Sequence, residues 1–379
     1  MRTIHPSRRQ ARALAALVLL AAAPPLNAGT SPDGDTCRVL EVDPVELILT
    51  GREVEGQPRL SLTRDGISYR FVDEDNLAAF ERDPARFEIQ LGGSCARMGP
   101  LSGACSTEHR AVHDGRLYVF ASRQCRESFL KAPERMLETD DAAPAATPES
   151  ARRGQELLER ALTTLGGAEA VDGVRNYAER AERSQLEGGR EYRVADGAWL
   201  VFEPGAPLPD RLRREQSWDD ATWASVIARG RGAKVSGDRR TPMAATQRRA
   251  FEREMGRMLL AVLRSRGAPG AVVAHAGAGQ LEGAPVELVA VAVDGRTTML
   301  VLDARDGAVR ALRYRGRTSQ EALADLEVRL SDWRSVGALR LPFTRTVFAD
   351  GAAQPDGSMT LGTIVLDGAL DADLFRTTR

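Results

Sequence analysis

Residues 65–87, DGISYRFVDEDNLAAFERDPARF, align without a gap on residues 114–136, DGRLYVFASRQCRESFLKAPERM. Both follow D-G-x-x-Y-x-F, eight residues, Phe, three residues, Pro, one residue, Arg, at an offset of 49 residues. A duplication of this kind requires a fold built from two like pieces. In each copy the Asp-Gly pair predicts a tight turn, and the Tyr and Phe two positions apart share one face of a strand. Asp73 or Ser122 then caps a helix anchored by Phe80 or Phe129 and ended by Pro84 or Pro133. A unit this small buries little by itself, so the copies, about 43–88 and 95–137, are expected to pack as one domain over 37–138.

The N-terminus carries Arg2, Arg8, Arg9 and Arg12, an apolar run from Leu14 to Ala23, and small residues up to Ala28. That order reads as a secretory leader over 1–28, with the run too short to span a bilayer. "SRR" at 7–9 hints at twin-arginine export as an alternative to the general route. The expected location is periplasmic or secreted, after cleavage near Ala28, where disulfides persist. Charge is balanced at a formal net −1, and the basic residues, almost all arginine, are interleaved with Asp and Glu. No basic patch stands out, which argues against nucleic acid as a partner.

The run DPVELILTGREVEGQPRLSL (43–62), the YRFVDEDNLAAFERDPARF that follows, GGSCA (92–96) and DGRLYVF (114–120) resemble the YHS family over about 43–137. The resemblance implies a compact α+β module with metal or thiol roles and no established reaction. The chain departs from metal-bearing members in the strand-to-helix turn, where Ala121 or Ser122 stands in place of a second cysteine.

Four cysteines invite three readings. Cys105, His109, His113 and Cys125 supply two thiolates and two imidazoles, and the first three stand at steps of four, which share a face on a helix or a strand. Such a set would suit zinc or copper. Alternatively Cys37, Cys95, Cys105 and Cys125 form two disulfides. A Cys105–Cys125 bridge would close a loop of about 20 residues and contribute about 3 kcal/mol, leaving Cys37 to pair with Cys95. In the third reading the thiols are free and redox-active, with Cys125 in the first turn of a helix, where the dipole favours a thiolate.

Residues 139–150, rich in Ala and Pro, read as an extended linker. Beyond it, Thr147-Pro148 opens a helix whose Leu157, Leu158, Ala161, Leu162 and Leu165 share a face and which Gly166 ends. A second helix is expected from Thr241-Pro242 to Gly267, with Met255 and Met258 as core filling. The rest reads as strands at 191–202, 223–229, 271–278, 326–334, 338–348 and 358–366, with a meander over 285–316. Val286 to Val293 is apolar at nearly every position, so both faces of that strand should be buried, against a core or a ligand cavity.

LLERALTTLGGAEAVDGVRNY (157–177), MLVLDARDGAVRALRYRG (299–316), SDWRSVGALRLPF (331–343) and LDADLF (370–375) are similar to LolA-like domains, the fold of periplasmic lipoprotein carriers and related outer-membrane sorting proteins. This likeness spans about 150–379 and implies a half-open antiparallel barrel covered by helices, with an apolar concave face. The expected fold class is therefore α+β: a small duplicated strand-helix domain, then a large curved antiparallel sheet over 151–379.

Enzyme chemistry finds no purchase. G-x-S-x-G and H-E-x-x-H are absent, and GAGQLEG (277–283) leads into a strand where a dinucleotide loop must open a helix. His275 stands alone in an apolar strand and reads as a core imidazole with a partner. Three functions remain: an exported non-enzymatic protein that binds a lipid or other hydrophobic ligand, a periplasmic metal or thiol-redox protein, and a scaffold for envelope assembly that docks another envelope protein.

Overall fold

A computed structural model describes residues 38–137, 139–187, 190–219, 221–318 and 322–378; the expected leader and Cys37 lie outside the described residues. The elements below all belong to one compact unit, Cys37–Arg379. It is α+β, with one apolar core in the first hundred described residues and a larger one in the remainder.

The first lobe opens with β1 (Arg38–Leu40), α1 (Pro44–Thr50), β2 (Gln57–Arg64), β3 (Ile67–Phe71), α2 (Glu74–Arg82) and α3 (Pro84–Phe87). A 3-10 turn at Gln90–Gly93 leads through a long loop to β4 (Arg110–His113), β5 (Arg116–Val119) and α4 (Arg123–Lys131). β1 runs parallel to β3, β2 pairs with β3 antiparallel, and β4 and β5 form a hairpin. Both Asp-Gly turns place two successive residues at positive φ: Asp65 at 48° and Gly66 at 74°, Asp114 at 48° and Gly115 at 64°. Asp73 and Ser122 accept the backbone N–H three residues on, and the helices they cap end just before Pro84 and Pro133. Phe80 packs 4.8 Å from Tyr69 and 5.3 Å from Phe71; Phe129 packs 5.3 Å from Tyr118 and 5.1 Å from Phe120. The duplicated pattern thus builds the same strand-turn-helix contact twice.

The second part holds α5 (Pro148–Leu165), α6 (Ala168–Gly173), β6 (Asn176–Glu187), β7 (Arg190–Val201), β8 (Arg211–Trp218), β9 (Ala221–Ala228), β10 (Arg231–Ser236) and β11 (Arg239–Pro242). It continues with α7 (Ala245–Met255), α8 (Leu259–Ser265), β12 (Val272–Leu281), β13 (Ala284–Val293), β14 (Arg296–Asp303) and β15 (Val309–Arg317). The last strands are β16 (Leu323–Val336), β17 (Leu339–Ala349), β18 (Ala352–Thr360) and β19 (Thr363–Leu366). They form two seven-stranded antiparallel sheets, β11-β10-β9-β8-β7-β6-β19 and β12 through β18 in sequence order. The chain crosses from one to the other at Leu361-Gly362, where Leu361 N–H donates to Phe343 and Gly362 N–H to Arg180.

Leu157, Leu158, Leu162 and Leu165 of α5, Phe251 and Met255 of α7, and Leu259 to Leu263 of α8 fill the space between the sheets. They meet Leu200, Leu212 and Ile227 from the first sheet and Val289, Leu300, Leu302 and Leu312 from the second. Gly154 lets α5 lie flat on β12, since a Cβ there would come within 2.7 Å of the Ala274 and His275 backbone. β13 is buried on both faces: Val289 and Val291 face this core, and Val286 joins Leu281, Val301 and Ala311 on the opposite side. The apolar sheet face expected to offer a hollow packs here against the protein's own helices.

Two expectations need correction. Thr241 and Pro242 belong to β11, and the helix expected to run from there to Gly267 is two helices broken at Gly256. The break brings the Arg296 guanidinium within 2.6 Å of where a Cβ would stand. β6, β8 and β10 were not foreseen: arginines and carboxylates hide the two-residue alternation in β6 and β8, and β10, RGAKVS, is short and has only Ala233 and Val235 as apolar side chains. Residues 139–147 carry no regular element before α5 begins at Pro148, and side-chain contacts tie them to α7 and β14. Asp140 pairs with Arg253, Asp141 with Arg257 at 3.1 Å, and Thr297 Oγ1 donates to the Ala142 carbonyl at 3.0 Å.

One polar bridge crosses the interior. Arg345 of β17 forks onto both carboxylate oxygens of Glu179 on β6, and Tyr177 Oη donates to the same carboxylate. Burial alone would lower the Arg345 pKa, but Glu179 and Tyr177 outweigh it and hold the guanidinium above its ordinary value.

Candidate functional site

Three cysteines from three separate segments meet in the first lobe. The 3-10 turn at Gln90–Gly93 reverses through left-handed residues, Leu91 at φ 57°, Gly92 at 62° and Gly93 at 72°. It lays Cys95 beside the end of β5, where Cys95 bridges to Val119 and Ala96 N–H donates to the Val119 carbonyl at 3.0 Å. The loop then doubles back, so that Ser94 bridges to Ala104 and Cys105 N–H donates to the Gly93 carbonyl at 3.0 Å. Arg38 ties both ends, donating to the Gly93 and Cys105 carbonyls at 2.8 and 3.1 Å. Cys125 arrives from α4, its N–H accepted by the Ser122 cap at 3.2 Å.

Cys95 is the centre. Its sulfur receives a hydrogen bond from the Cys105 thiol, which pulls the Cys95 pKa well down against the opposing effect of burial, helped by backbone N–H groups of Ala121, Met98 and Arg97. Cys105 is pushed up by that bond and by burial. Cys125 is pushed up chiefly by burial, and its side chain also bonds to Cys95. The bonding thus centres on Cys95, the one sulfur of the three whose pKa its neighbours lower. Cys95 is 0% exposed and Cys105 5%, while Cys125 is half-buried.

The residues singled out from sequence are only partly brought together. All three described cysteines are free, so the Cys105–Cys125 bridge is not formed, and Cys95, assigned to Cys37, faces Cys105 and Cys125. His109 sits in a bend before β4, because residues 105–109 are irregular and the four-residue step gives no common face. His113 ends β4 with Nε2 3.4 Å from the Asp114 carboxylate and its ring edge-on to Phe129. Among the described residues no three His, Cys, Asp or Glu side chains form a set that could hold a metal ion. His275 does have a partner, Glu287 at 2.8 Å, but at the half-exposed edge of β12 and not in the core.

The duplication itself carries the signal that Cys95 is central. In the first copy Asn76, aligned with Cys125, donates to Asp43 Oδ2 at 2.9 Å, and buried Asp43 also caps α1 and accepts Val72 N–H. In the second copy a pair of sulfurs replaces that polar contact.

The cysteine loop is also the seam with the sheets. Gln247 of α7 donates to Ser94 Oγ at 2.9 Å, Lys234 of β10 to the Leu101 carbonyl at 3.1 Å, and Arg317 of β15 to the Met136 carbonyl at 2.6 Å. Leu101 packs on the larger core.

A second feature lies on the β12–β18 sheet, a groove of about 790 Å³ with Met299, Tyr314, Leu326 and Phe348 among its walls. Arg313 and Arg329 both donate to Glu327 at 2.7 Å, and Arg315 pairs with Asp325 at 3.3 Å. Arg329 lies 4.0 Å over the Phe348 ring. Burial would raise the Glu327 pKa, but the bonds from Arg329 and Arg313 prevail and lower it. Asp141 closes one end, accepting from Arg257 and from Thr297 N–H. The charges alternate with apolar and aromatic residues along neighbouring strands, a pattern readable only once the pairing register is known.

No family model matches the chain, and no curated protein matches it. Among solved structures it is similar to a domain assigned to outer membrane lipoprotein sorting from Vibrio parahaemolyticus, at 9% identity and a TM-score of 0.36, covering 59% of this chain and 97% of that one. It is similar to a DUF1329 family protein from Desulfovibrio piger at 12% identity, TM-score 0.31, covering 60% and 97%. A LolA superfamily protein from Nitrosomonas europaea is similar at 11% identity, TM-score 0.32, covering 59% and 97%. Among the described residues no helix is long and apolar enough to cross a membrane.

Proposed function

We propose that the chain is an exported, non-enzymatic binding protein of the cell envelope whose sheets hold an amphipathic guest. The observation that supports this is the groove of about 790 Å³ on the β12–β18 sheet. Its size falls within the roughly 300–1,000 Å³ of small-ligand sites. Met299 and Phe348 offer an apolar and aromatic surface, while Arg313, Arg315, Arg329, Asp325 and Glu327, on the same face by register, neutralise one another around it. Such a surface suits a guest with an apolar tail and a dipolar head. The core packed between helices and sheets supports a guest on the sheet surface and not inside a barrel.

Purified protein titrated with lysophosphatidylcholine tests the reading. One equivalent is expected to bind, and Phe348→Glu is expected to weaken it at least about tenfold, since a charge replaces an apolar contact worth more than about 1.4 kcal/mol. No binding by the wild-type chain, or equal binding by the variant, overturns the assignment. A second reading, a thiol-redox protein, is favoured by the bonds that Cys95 makes with Cys105 and Cys125.

A further inference from the structure

We propose that Cys95 is the shared partner of two mutually exclusive disulfides, one with Cys125 and one with Cys105, formed by exchange with a small-molecule disulfide. The site is separate from the sheet groove and stands whether or not the groove binds a guest.

The geometry sets the order of events. Cys125 is the half-exposed sulfur, on the first turn of α4, and it is where an external disulfide can enter. Cys95 and Cys105 lie behind it, both buried, in a loop fixed at Gly93, Ala104 and Val119. Cys95 contacts each of the other two thiols. In the first step the Cys125 thiol passes its proton to the Cys95 sulfur it bonds to and attacks R–S–S–R, forming Cys125–S–S–R and releasing one RS⁻, which carries that proton away as RSH. The Cys95 thiolate, stabilised by the Cys105 thiol and three backbone N–H groups, then attacks the Cys125 sulfur and expels the second RS⁻. Cys105 can next attack Cys95, forming Cys95–Cys105 and freeing Cys125. In sum, the Cys125 thiol, the Cys95 thiolate and R–S–S–R give one protein disulfide, one RSH and one RS⁻; the Cys125 proton leaves on the RSH, and the external disulfide is the oxidant. The attacking group in the second step is the one already ionised, as exchange requires.

The loop that would change its bonding is the one that Gln247 and Lys234 hold against the sheets. Exchange at Cys95 is thereby placed at the contact between the two cores, not on a remote surface.

The test is a time course of the full chain with oxidised glutathione, quenched with N-ethylmaleimide in acid and mapped by mass spectrometry without reduction. Trypsin cutting at Arg86, Arg97, Arg110, Arg123 and Arg126 puts Cys95, Cys105 and Cys125 on separate peptides. Glutathione on Cys125 is expected first, then a Cys95–Cys125 link, then a Cys95–Cys105 link. Cys105→Ser should stop the series at Cys95–Cys125, and Cys95→Ser should accumulate glutathionylated Cys125 with no internal link. Cys125→Ser should slow the Cys95–Cys105 link at least about tenfold, because the remaining sulfurs are buried. A dominant Cys105–Cys125 link, a link to Cys37, or no link at all in the wild-type chain overturns the proposal, and the wild-type series decides even where a variant does not fold.

Discussion

Replacing Glu179 by Ala tests what holds the two large sheets in register. The variant leaves the Arg345 guanidinium facing Tyr177 with its carboxylate gone, and these side chains are 19% and 6% exposed for Arg345 and Glu179. Removing one partner of a buried pair costs roughly 3–5 kcal/mol, and the residual exposure of Arg345 places the loss near the lower end, about 3 kcal/mol. With an m-value of about 3 kcal/mol/M, that moves the urea midpoint down by about 1 M. Intrinsic fluorescence is a clean probe, because all four tryptophans, Trp199, Trp218, Trp223 and Trp333, lie in the sheet strands and none in the first lobe. The double variant Glu179→Leu with Arg345→Met removes both charges and keeps the volume. It should recover most of the loss, since apolar replacement of a buried pair is often neutral or stabilising by about 1–4 kcal/mol. A single-variant cost below about 1 kcal/mol, or a double variant as unstable as the sum of the singles, would show that the bridge is not a coupled buried pair.

Gly92→Ala puts a Cβ 2.7 Å from Ala244 at a φ of 62°, so it should cost about 2 kcal/mol and speed proteolysis within the cysteine loop. Asp141→Asn weakens the contacts to Arg257 and Thr297 and should cost about 1 kcal/mol while exposing 139–147 to cleavage; unchanged protease sensitivity would mean the linker is held by other contacts. The thiol pair should make stability pH-dependent. Between the lowered Cys95 value, about 5, and the ordinary thiol value of 9.0, the unfolded chain keeps a proton that the fold has released, so stability rises with pH. Above 9.0 the fold keeps the Cys105 proton that the unfolded chain sheds, and stability falls. Urea midpoints of the wild type against Cys95→Ser/Cys105→Ser at about pH 5, 7 and 10 measure this, and a constant difference would remove the pair as its source.

Local chemistry made much of the fold legible. The Asp-Gly turns, the caps at Asp73, Ser122 and Thr147, and the stops at Pro84, Pro133 and Gly166 act within a few residues, and each was read from neighbours in sequence. The α7–α8 break was not, because the side chain that fills the space beside Gly256, Arg296, stands some 40 residues downstream and is brought near only by the tertiary fold. The thiol site was half legible for the same reason. Cys105 and Cys125 stood out, but Cys95 reaches them through a loop whose reversal depends on three successive left-handed residues, one of them Leu91. His109 and His113 were drawn in by a spacing that has meaning only on a regular element, and the chain between Cys105 and His109 is irregular.

The contacts of Ser94, Leu101 and Ser102 with Gln247 and Lys234 bear on any attempt to transplant the first lobe. A graft of residues 38–137 onto another chain would carry a raw patch of amide and hydroxyl groups shaped for a surface it no longer has. Such a graft needs either a replacement lysine and amide in matching positions or a rewritten loop, and without them it will seek other copies of itself.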